Sequence, residues 1–426
     1  MKSLKYISEQ NIFSAPFDVT WLRKPALSKL LNFFHSQGVE VFAVGGCIRD
    51  SFWKKKVKEI DLAINVDPIR LKGILSRTNC KVLDIGIEYG TIAVILEGEK
   101  FEITSFRKDI ETFGRKARIQ YTDSLLEDAK RRDFTFNSIY LSPNGIVVDP
   151  LENFQDLKSG EVKFVGDPSI RINEDYLRIL RYFRFVGKFP AANKNPDQKV
   201  LQAISKKKTY VLRLSRERTW SELKLILSFK SISTVIELMQ QTGVLSVLFP
   251  DARLHNLKKM LKLEKLLWKI VTEKKQSGLV NTFDPIRRLA LLLGNAKYSY
   301  QGLISLEKQE KNRLKFFQSR PGQLYELAHQ VGYQYGFQDG IDLLLWSMAN
   351  SLECNGLRFE KENINKLKTS YEEIFLGSLA KFPLNGYDLS LLGYEGKNLG
   401  LKLKELELDW VNSKFSLHRS QLLQKL

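Results

Sequence analysis

The sequence predicts an α+β fold: a small mixed β-sheet head with helices, followed by an all-α remainder. Three observations carry that prediction. Between residues 39 and 165, short apolar or alternating runs (Val39–Val44, Glu59–Ile64, Cys80–Ile85, Thr91–Leu96, Phe101–Thr104) are punctuated by glycine-bearing turns. Helical stretches fit between some of them, at Pro68–Arg77 and Leu125–Arg131. From Ile172 the apolar positions change to i, i+3, i+4 spacing, as in Leu177, Leu180, Tyr182 and Phe183, and the helical pattern lasts to the end. A polar stretch at Ala191–Gln198 interrupts it as a surface loop.

Composition bounds the rest. A chain of 426 residues is too long for one ordinary domain, and 43% hydrophobic residues suffice to bury real cores. Lys and Arg number 67 against 48 Asp and Glu, a net charge of +19. A chain this basic is suited to a polyanion, nucleic acid first; dispersed charge in a lysine-rich sequence is the plainer alternative. Cys47, Cys80 and Cys354 are an odd number without metal-ligand spacing, which argues against a disulfide scaffold or zinc site and predicts a reducing compartment, the cytoplasm. Residues Met1–Ser14 lack the apolar stretch of a signal peptide, and no apolar run reaches the roughly 20 residues a membrane span needs, so no membrane partner is expected.

The chemistry is concentrated in acidic residues of the head. If Glu59–Ile64 is a strand, Ile60, Leu62 and Ile64 face the core, and Glu59 and Asp61 share the other face about 7 Å apart. Neighbouring carboxylates repel unless a cation lies between them, and a divalent metal is the usual solution. Glu102 repeats the pattern between Phe101 and Ile103. Three carboxylates on adjacent strands would supply what two-metal phosphoryl transfer needs, although each strand alone reads equally as a solvated acidic face. Upstream, Gly45-Gly46 at a strand end lets backbone N–H groups approach phosphate oxygens, or forms an ordinary turn.

Taken in order, these residues resemble the polymerase β nucleotidyltransferase superfamily, and more closely the class II tRNA nucleotidyltransferase and bacterial poly(A) polymerase family. Gly45-Gly-Cys-Ile-Arg-Asp50 is similar to the family's Gly-Gly-x-Val-Arg-Asp, and Glu59-Ile-Asp61 to its Asp-x-Asp, with Glu59 in place of the first aspartate. Ser51-Phe-Trp53 replaces the usual Leu-Gly. The resemblance implies that Glu59, Asp61 and Glu102 are catalytic and hold two Mg²⁺ ions, with Glu59 and Asp61 as the paired ligands, and that Gly45, Gly46, Arg49 and Asp50 position a triphosphate. Phe101–Asp109 resembles the strand leading into a flexible loop that starts with Arg107 and Asp109 and continues through Glu111-Thr-Phe-Gly-Arg115. Arg131-Arg-Asp-Phe-Thr-Phe-Asn137 resembles the ribose-sensing motif, which assigns Arg132, Asp133 and Asn137 to the nucleotide.

Glu174-Asp-Tyr-Leu-Arg178 resembles the opening of the first neck helix, followed by Arg181 and Arg184. At i, i+3 spacing Asp175 and Arg178 share a helix face, either as a routine ion pair or, as the resemblance implies, as the protein template for cytosine and then adenine. Leu214-Ser-Arg-Glu-Arg218 with Glu222 resembles the next neck motif, with Ser215 as N-cap and Glu217 and Arg218 as braces. Leu392-Gly393 to Asp409–Phe415 resembles the family's tail. None of the four histidines is followed by Asp, so the His-Asp phosphohydrolase domain of some relatives is not expected.

The implied organisation is a catalytic head (1–165), a base-selecting neck (166–250), a body (251–380) and a tRNA-binding tail (381–426). The implied activity is addition of C, C and A to tRNA 3′ ends from CTP and ATP. Two alternatives stay open. One is a poly(A) polymerase or A-only transferase, against which the retained loop and the absence of a basic extension after Leu426 weigh. The other, suggested by Glu59, is a catalytically weakened RNA-binding protein.

Overall fold

The computed structural model describes residues 2–5, 7–113, 116–189, 196–276, 278–293, 299–319, 327–351 and 361–426. They form two compact units, one of residues 1–222 with 234–248, the other of 223–233 with 249–426.

The first unit is built on a mixed sheet. In chain order its elements are β1 (Ile12–Ser14), α1 (Pro25–Ser36), β2 (Val41–Val44), α2 (Gly46–Phe52), β3 (Asp61–Ile64), α3 (Pro68–Leu75), β4 (Lys81–Gly86), β5 (Thr91–Leu96) and β6 (Glu99–Ser105). Then come β7 (Arg107–Phe113), β8 (Lys116–Tyr121), α4 (Leu125–Lys130), β9 (Tyr140–Leu141), β10 (Ile146–Val148) and α5 (Phe154–Ser159). Eight strands make one sheet in the order β1-β10-β9-β2-β3-β6-β5-β4. Its parallel pair is β3–β6, and the register sets Asp61 beside Glu102. Phe42, Val44, Ala63, Phe106, Leu125 and Tyr140 bury one core under it.

Two expectations change here. Strand β3 begins at Asp61, not Glu59. Its antiparallel partner β2 ends at Val44, opposite Asp61, because Gly45 at φ 76° turns the chain into α2, and no β2 backbone is left to pair Glu59. The expected loop from Arg107 is largely a two-stranded hairpin, with Arg107 opposite Tyr121 and Phe113 opposite Lys116. Gly114 and Arg115 lie outside the described residues, as does most of the expected loop at Ala191–Gln198.

The helical part of this unit holds α6 (Pro168–Glu174), α7 (Leu177–Lys188), α8 (Gln198–Lys207), α9 (Arg216–Leu227), α10 (Ser233–Gln241) and α11 (Val244–Leu248), of which α9 also runs on into the second unit. Proline at the first position and the Asp167 side chain, accepting from the Ile170 amide at 3.0 Å, start α6. Extended backbone at Asp175 (φ −153°, ψ 109°) ends it. The apolar stripe of α7 (Ile179, Leu180, Phe183, Val186) is buried.

The second unit is helical among its described residues: α12 (Leu254–Glu273), α13 (Pro285–Leu293), α14 (Lys308–Gln318), α15 (Ala328–Ser351), α16 (Lys361–Leu379), α17 (Gly386–Ser390), α18 (Gly396–Asn412) and α19 (Arg419–Leu423). Helices α15 and α16 lie against each other at glycines: a Cβ on Gly332 would meet the Ile374 carbonyl oxygen at 2.2 Å, and one on Gly377 the His329 carbonyl oxygen at 2.0 Å. At its centre Glu264, fully buried, receives Arg287 Nη2 at 2.7 Å and Arg288 Nη2 at 2.6 Å. Leu389, Leu406, Trp410 and Leu422 form a separate core towards the C-terminal end. Among the described residues no helix is long and apolar enough to cross a membrane.

Candidate active site

The carboxylates expected from the sequence line one cleft of about 300 Å³ at the edge of β3 and β6: Glu59, Asp61 and Glu102, with Lys24, Lys58 and Lys100 around them. The backbone follows the strand pairing. Gly45 bends past the end of β3, and a Cβ there would come within 3.9 Å of Asp61 Oδ2, so the glycine amide region lies beside the carboxylate. Burial pushes the Asp61 carboxyl up to about 6; the Glu102 charge adds to this, and Glu59 adds less. Arg132 and Arg49 pull the other way. A carboxylate so placed gains from a cation.

The expected convergence of three ligands is only partly found. Among the described residues no group of three His, Cys, Asp or Glu side chains is close enough to hold a metal ion. Glu102 is engaged by Lys100 at 2.7 Å, and Glu59 is exposed ahead of the strand. The donor set still fits magnesium, which is commonly held by one or two carboxylates, with water and substrate phosphates completing its shell.

Beside the cleft lies a cationic cluster. Arg49, 7% exposed, donates from Nη1 to Asn137 Oδ1 at 3.0 Å and lies 5.2 Å over the Phe185 ring. Asp50 accepts Lys188 Nζ at 2.9 Å. Arg132 donates from Nη2 to Asp128 Oδ2 at 2.9 Å and from Nε to the Tyr140 hydroxyl at 2.9 Å. Asp128 also receives Arg131 and, at 3.4 Å, the backbone N–H of Arg107 at the root of the hairpin. Burial alone would raise the Asp128 carboxyl, but the Arg131 and Arg132 charges and the Tyr140 hydroxyl outweigh it and hold it well below the usual range. Asp133 behaves alike: burial is overcome by Arg181, whose Nη2 lies at 2.6 Å, and by Asn137 Nδ2 at 3.1 Å. Arg107 sits close to Asp109 and donates to the Tyr89 carbonyl; burial, aided by Arg131, lowers it to about 10.

The neck residues are arranged differently from the expected helix face. Asp175 lies at the break between α6 and α7, where Oδ1 accepts the Leu177 amide at 3.1 Å and Oδ2 accepts Arg218 Nη2 at 2.6 Å. Arg178 donates to Glu174 and to the Arg171 carbonyl at 2.8 Å. The two side chains are therefore not paired with each other: Asp175, in extended backbone, stands at the start of α7, its carbonyl accepting the Arg178 backbone N–H at 3.0 Å, while its carboxylate turns to Leu177 and Arg218. Arg218 braces as expected, and Ser215 Oγ accepts its backbone N–H at 3.4 Å. Glu222 takes Arg184 Nε at 2.5 Å.

Sequence reasoning missed Asp128, Arg171, Lys188 and Tyr140. The first had a signal: Asp128 stands at i, i+3 and i, i+4 from Arg131 and Arg132 in a stretch read as helix. Contacts such as Lys188 to Asp50 span 138 positions and leave no local trace.

Comparison with known proteins fits this geometry. Residues 41–163 match the family described as "Poly A polymerase head domain", and 195–254 the one described as "Probable RNA and SrmB- binding site of polymerase A". CCA tRNA nucleotidyltransferase 1, mitochondrial, of Danio rerio is 30% identical over 404 residues, covering 93% of this chain and 89% of that protein. The chain belongs to the CCA tRNA nucleotidyltransferase family. The Homo sapiens protein of the same name is also 30% identical, over 93% of this chain and 88% of its own. Among solved structures, the Thermotoga maritima CCA-adding enzyme complexed with tRNA shares the fold with a TM-score of 0.69 at 20% identity, over 96% of this chain and 97% of that one. The Bacillus stearothermophilus CCA-adding enzyme in complex with CTP does so with a TM-score of 0.65 at 21% identity, over 94% and 98%. The α+β head with helical remainder is thus the family's fold, and transfer of nucleotides is chemistry that generally runs on divalent metal ions.

Proposed function

We propose that this CCA tRNA nucleotidyltransferase adds C, C and A to the 3′ ends of tRNAs, taking CTP and ATP as substrates. The observation that carries the reading is identity at 30% over 93% of the chain to a protein named for that activity. The site supports it with an acidic cleft beside a cluster of arginines, which suits a metal-bound triphosphate.

In this reading Asp61, helped by Glu59 and Glu102, would hold two Mg²⁺ ions together with water and the substrate phosphates, and the ions would supply positive charge for the primer 3′-hydroxyl and the triphosphate. Gly45, Gly46, Arg49 and Asp50 seat the triphosphate. Helix α2 has seven residues, so backbone amides rather than a long helix dipole face the phosphates. Arg132 and Asp133, steadied by Asn137, read the ribose. Asp175 and Arg178 read the base from separate mountings, and Arg181 holds Asp133. Arg107 and Asp109 are the hinge end of the hairpin that closes on the nucleotide. The division into head (1–165), neck (166–250), body (251–380) and tail (381–426) belongs to the same proposal. So does a cytoplasmic location, supported by the free thiols of Cys47 and Cys80, although the vertebrate relatives are named mitochondrial.

The test offers purified protein a tRNA lacking its 3′ CCA with CTP, ATP or both, and in parallel an oligo(A) primer. CCA added to tRNA alone supports the proposal. Long A tails on either primer replace it with polyadenylation, and no product with Mg²⁺ or Mn²⁺ leaves an RNA-binding role.

A further inference from the structure

Arg171 joins the two places where a nucleotide is read. Its guanidinium is buried. Nη1 donates to both oxygens of Glu174, at 2.9 and 2.7 Å, and Nη2 donates to the carbonyls of Lys130 and Arg132, at 2.6 and 2.5 Å. Glu174 in turn receives Arg178, whose Nη1 also donates to the Arg171 carbonyl at 2.8 Å. One planar fork therefore runs from the carbonyls flanking Arg131, a single peptide away from Asp133, to the carboxylate that aims Arg178. Arg178 is also near enough to Asp133 for its charge to help hold that carboxyl down.

We infer that Arg171 is a positioning residue that makes recognition of the sugar and of the base interdependent. The inference rests on the proposed roles of Asp133 and Arg178. A guanidinium is rigid and its two amino groups move together. A sugar that displaces the Arg131–Asp133 segment shifts the acceptors of Nη2, which turns the fork, and Glu174 and Arg178 turn with it. A wrong sugar thus already spoils base reading, and a wrong base then adds little further cost. Lysine in this place keeps the charge but is a single point donor and cannot span both sets of acceptors. Asp133 keeps its separate tie to Arg181 in that variant, so the segment stays in place while its hydrogen-bonded route to Arg178 is cut, leaving only the direct attraction between Arg178 and Asp133.

The experiment measures kcat/KM for one-nucleotide addition to a tRNA primer with CTP, dCTP, UTP and dUTP. In the wild-type enzyme the preference for cytosine over uracil should shrink about tenfold when both nucleotides carry deoxyribose. In Arg171→Lys, and independently in Glu174→Gln, the preference should shrink less than about threefold between ribo- and deoxynucleotides, the remainder left by the direct attraction between Arg178 and Asp133. A merely structural role lowers all four values together and leaves this ratio of ratios at its wild-type value, which overturns the inference. Base preference independent of the sugar in the wild type also overturns it, without need of any variant. Arg178→Ala and Asp133→Asn serve as controls: if they leave base and sugar preference untouched, the proposed site roles fail instead.

Discussion

Arg218 holds Asp175 from across 43 positions of sequence, its Nη2 donating to Oδ2 at 2.6 Å. Asp175 lies outside both flanking helices in extended backbone, and this contact and the first amide of α7, at Leu177, aim its side chain. Arg218→Ala is expected to lower the preference for CTP over UTP by about tenfold, a loss of one charge-assisted hydrogen bond. Thermal stability should change little, because the pair is partly exposed. Single-turnover incorporation from each nucleotide, beside a melting curve, checks both halves.

Asp128 is the sole carboxylate among the described residues that takes hydrogen bonds from both Arg131 and Arg132, and it is fully buried. Asp128→Asn leaves those guanidinium groups without their counter-charge. Breaking a buried pair from one side costs about 3–5 kcal/mol. Urea unfolding should show a midpoint lowered to match, with the slope unchanged, and discrimination against dCTP should weaken because Arg132 loses its anchor.

The same carboxyl gives a pH dependence. Asp128 and Asp133 titrate below their unfolded value of about 3.9. Their contribution to stability is therefore complete above the unfolded value and is lost as pH falls through the folded one. Urea titration reads the Asp128 part of the unfolding free energy as the difference between wild type and Asp128→Asn, in which the opposite contribution of Asp61 near pH 6 cancels. That difference should hold from pH 7 to about pH 5 and drop steeply below about pH 4. The acid slope of Asp128→Asn itself should be shallower than that of wild type; an unchanged slope would refute the assignment.

In the cleft, Asp61 and Glu59 should respond differently. Asp61 opens β3 beside Gly45 and Glu102, and Asp61→Asn should lower kcat about a hundredfold or more. Glu59 is exposed ahead of the strand; as the proposed second ligand it lies on unpaired backbone, so Glu59→Asp should change kcat less than about threefold. A large gain on Glu59→Asp would mean that the natural residue impairs the site.

Much of the fold and site is legible in the sequence, for reasons that differ from residue to residue. In β6 the buried Phe101 and Ile103 alternate with Glu102, and in β3 Leu62 and Ile64 alternate with Asp61, so spacing alone puts the two carboxylates on one face of their strands. That Ala63 on that same face is buried in a core with Phe42 and Val44 shows only once the sheet is assembled. Leu177, Leu180, Tyr182 and Phe183, read by spacing alone, are all buried in α7. Alternation also carries Glu59 into β3, wrongly, because it continues past the point where the partner strand turns away at Gly45, and pairing is a property of two segments. Asp175 reads as helical because its neighbours are good helix formers; what interrupts the helix is an extended backbone secured by Arg218, far along the chain. The buried Arg287, Arg288 and Glu264 read as parts of amphipathic helices, since charges at those positions look solvated until the surrounding helices are assembled.

The interruption at Asp175 also matters for how specificity can evolve. A side chain within a helix points where the pitch of the helix sends it, and redirecting it means disturbing a whole turn. Asp175 stands on a joint with its own torsions, held at one oxygen by the Leu177 amide and at the other by one remote arginine of α9. With Asp175 as the base reader proposed above, substitutions in α9 can retune base preference while Asp175 itself and both flanking helices stay unchanged.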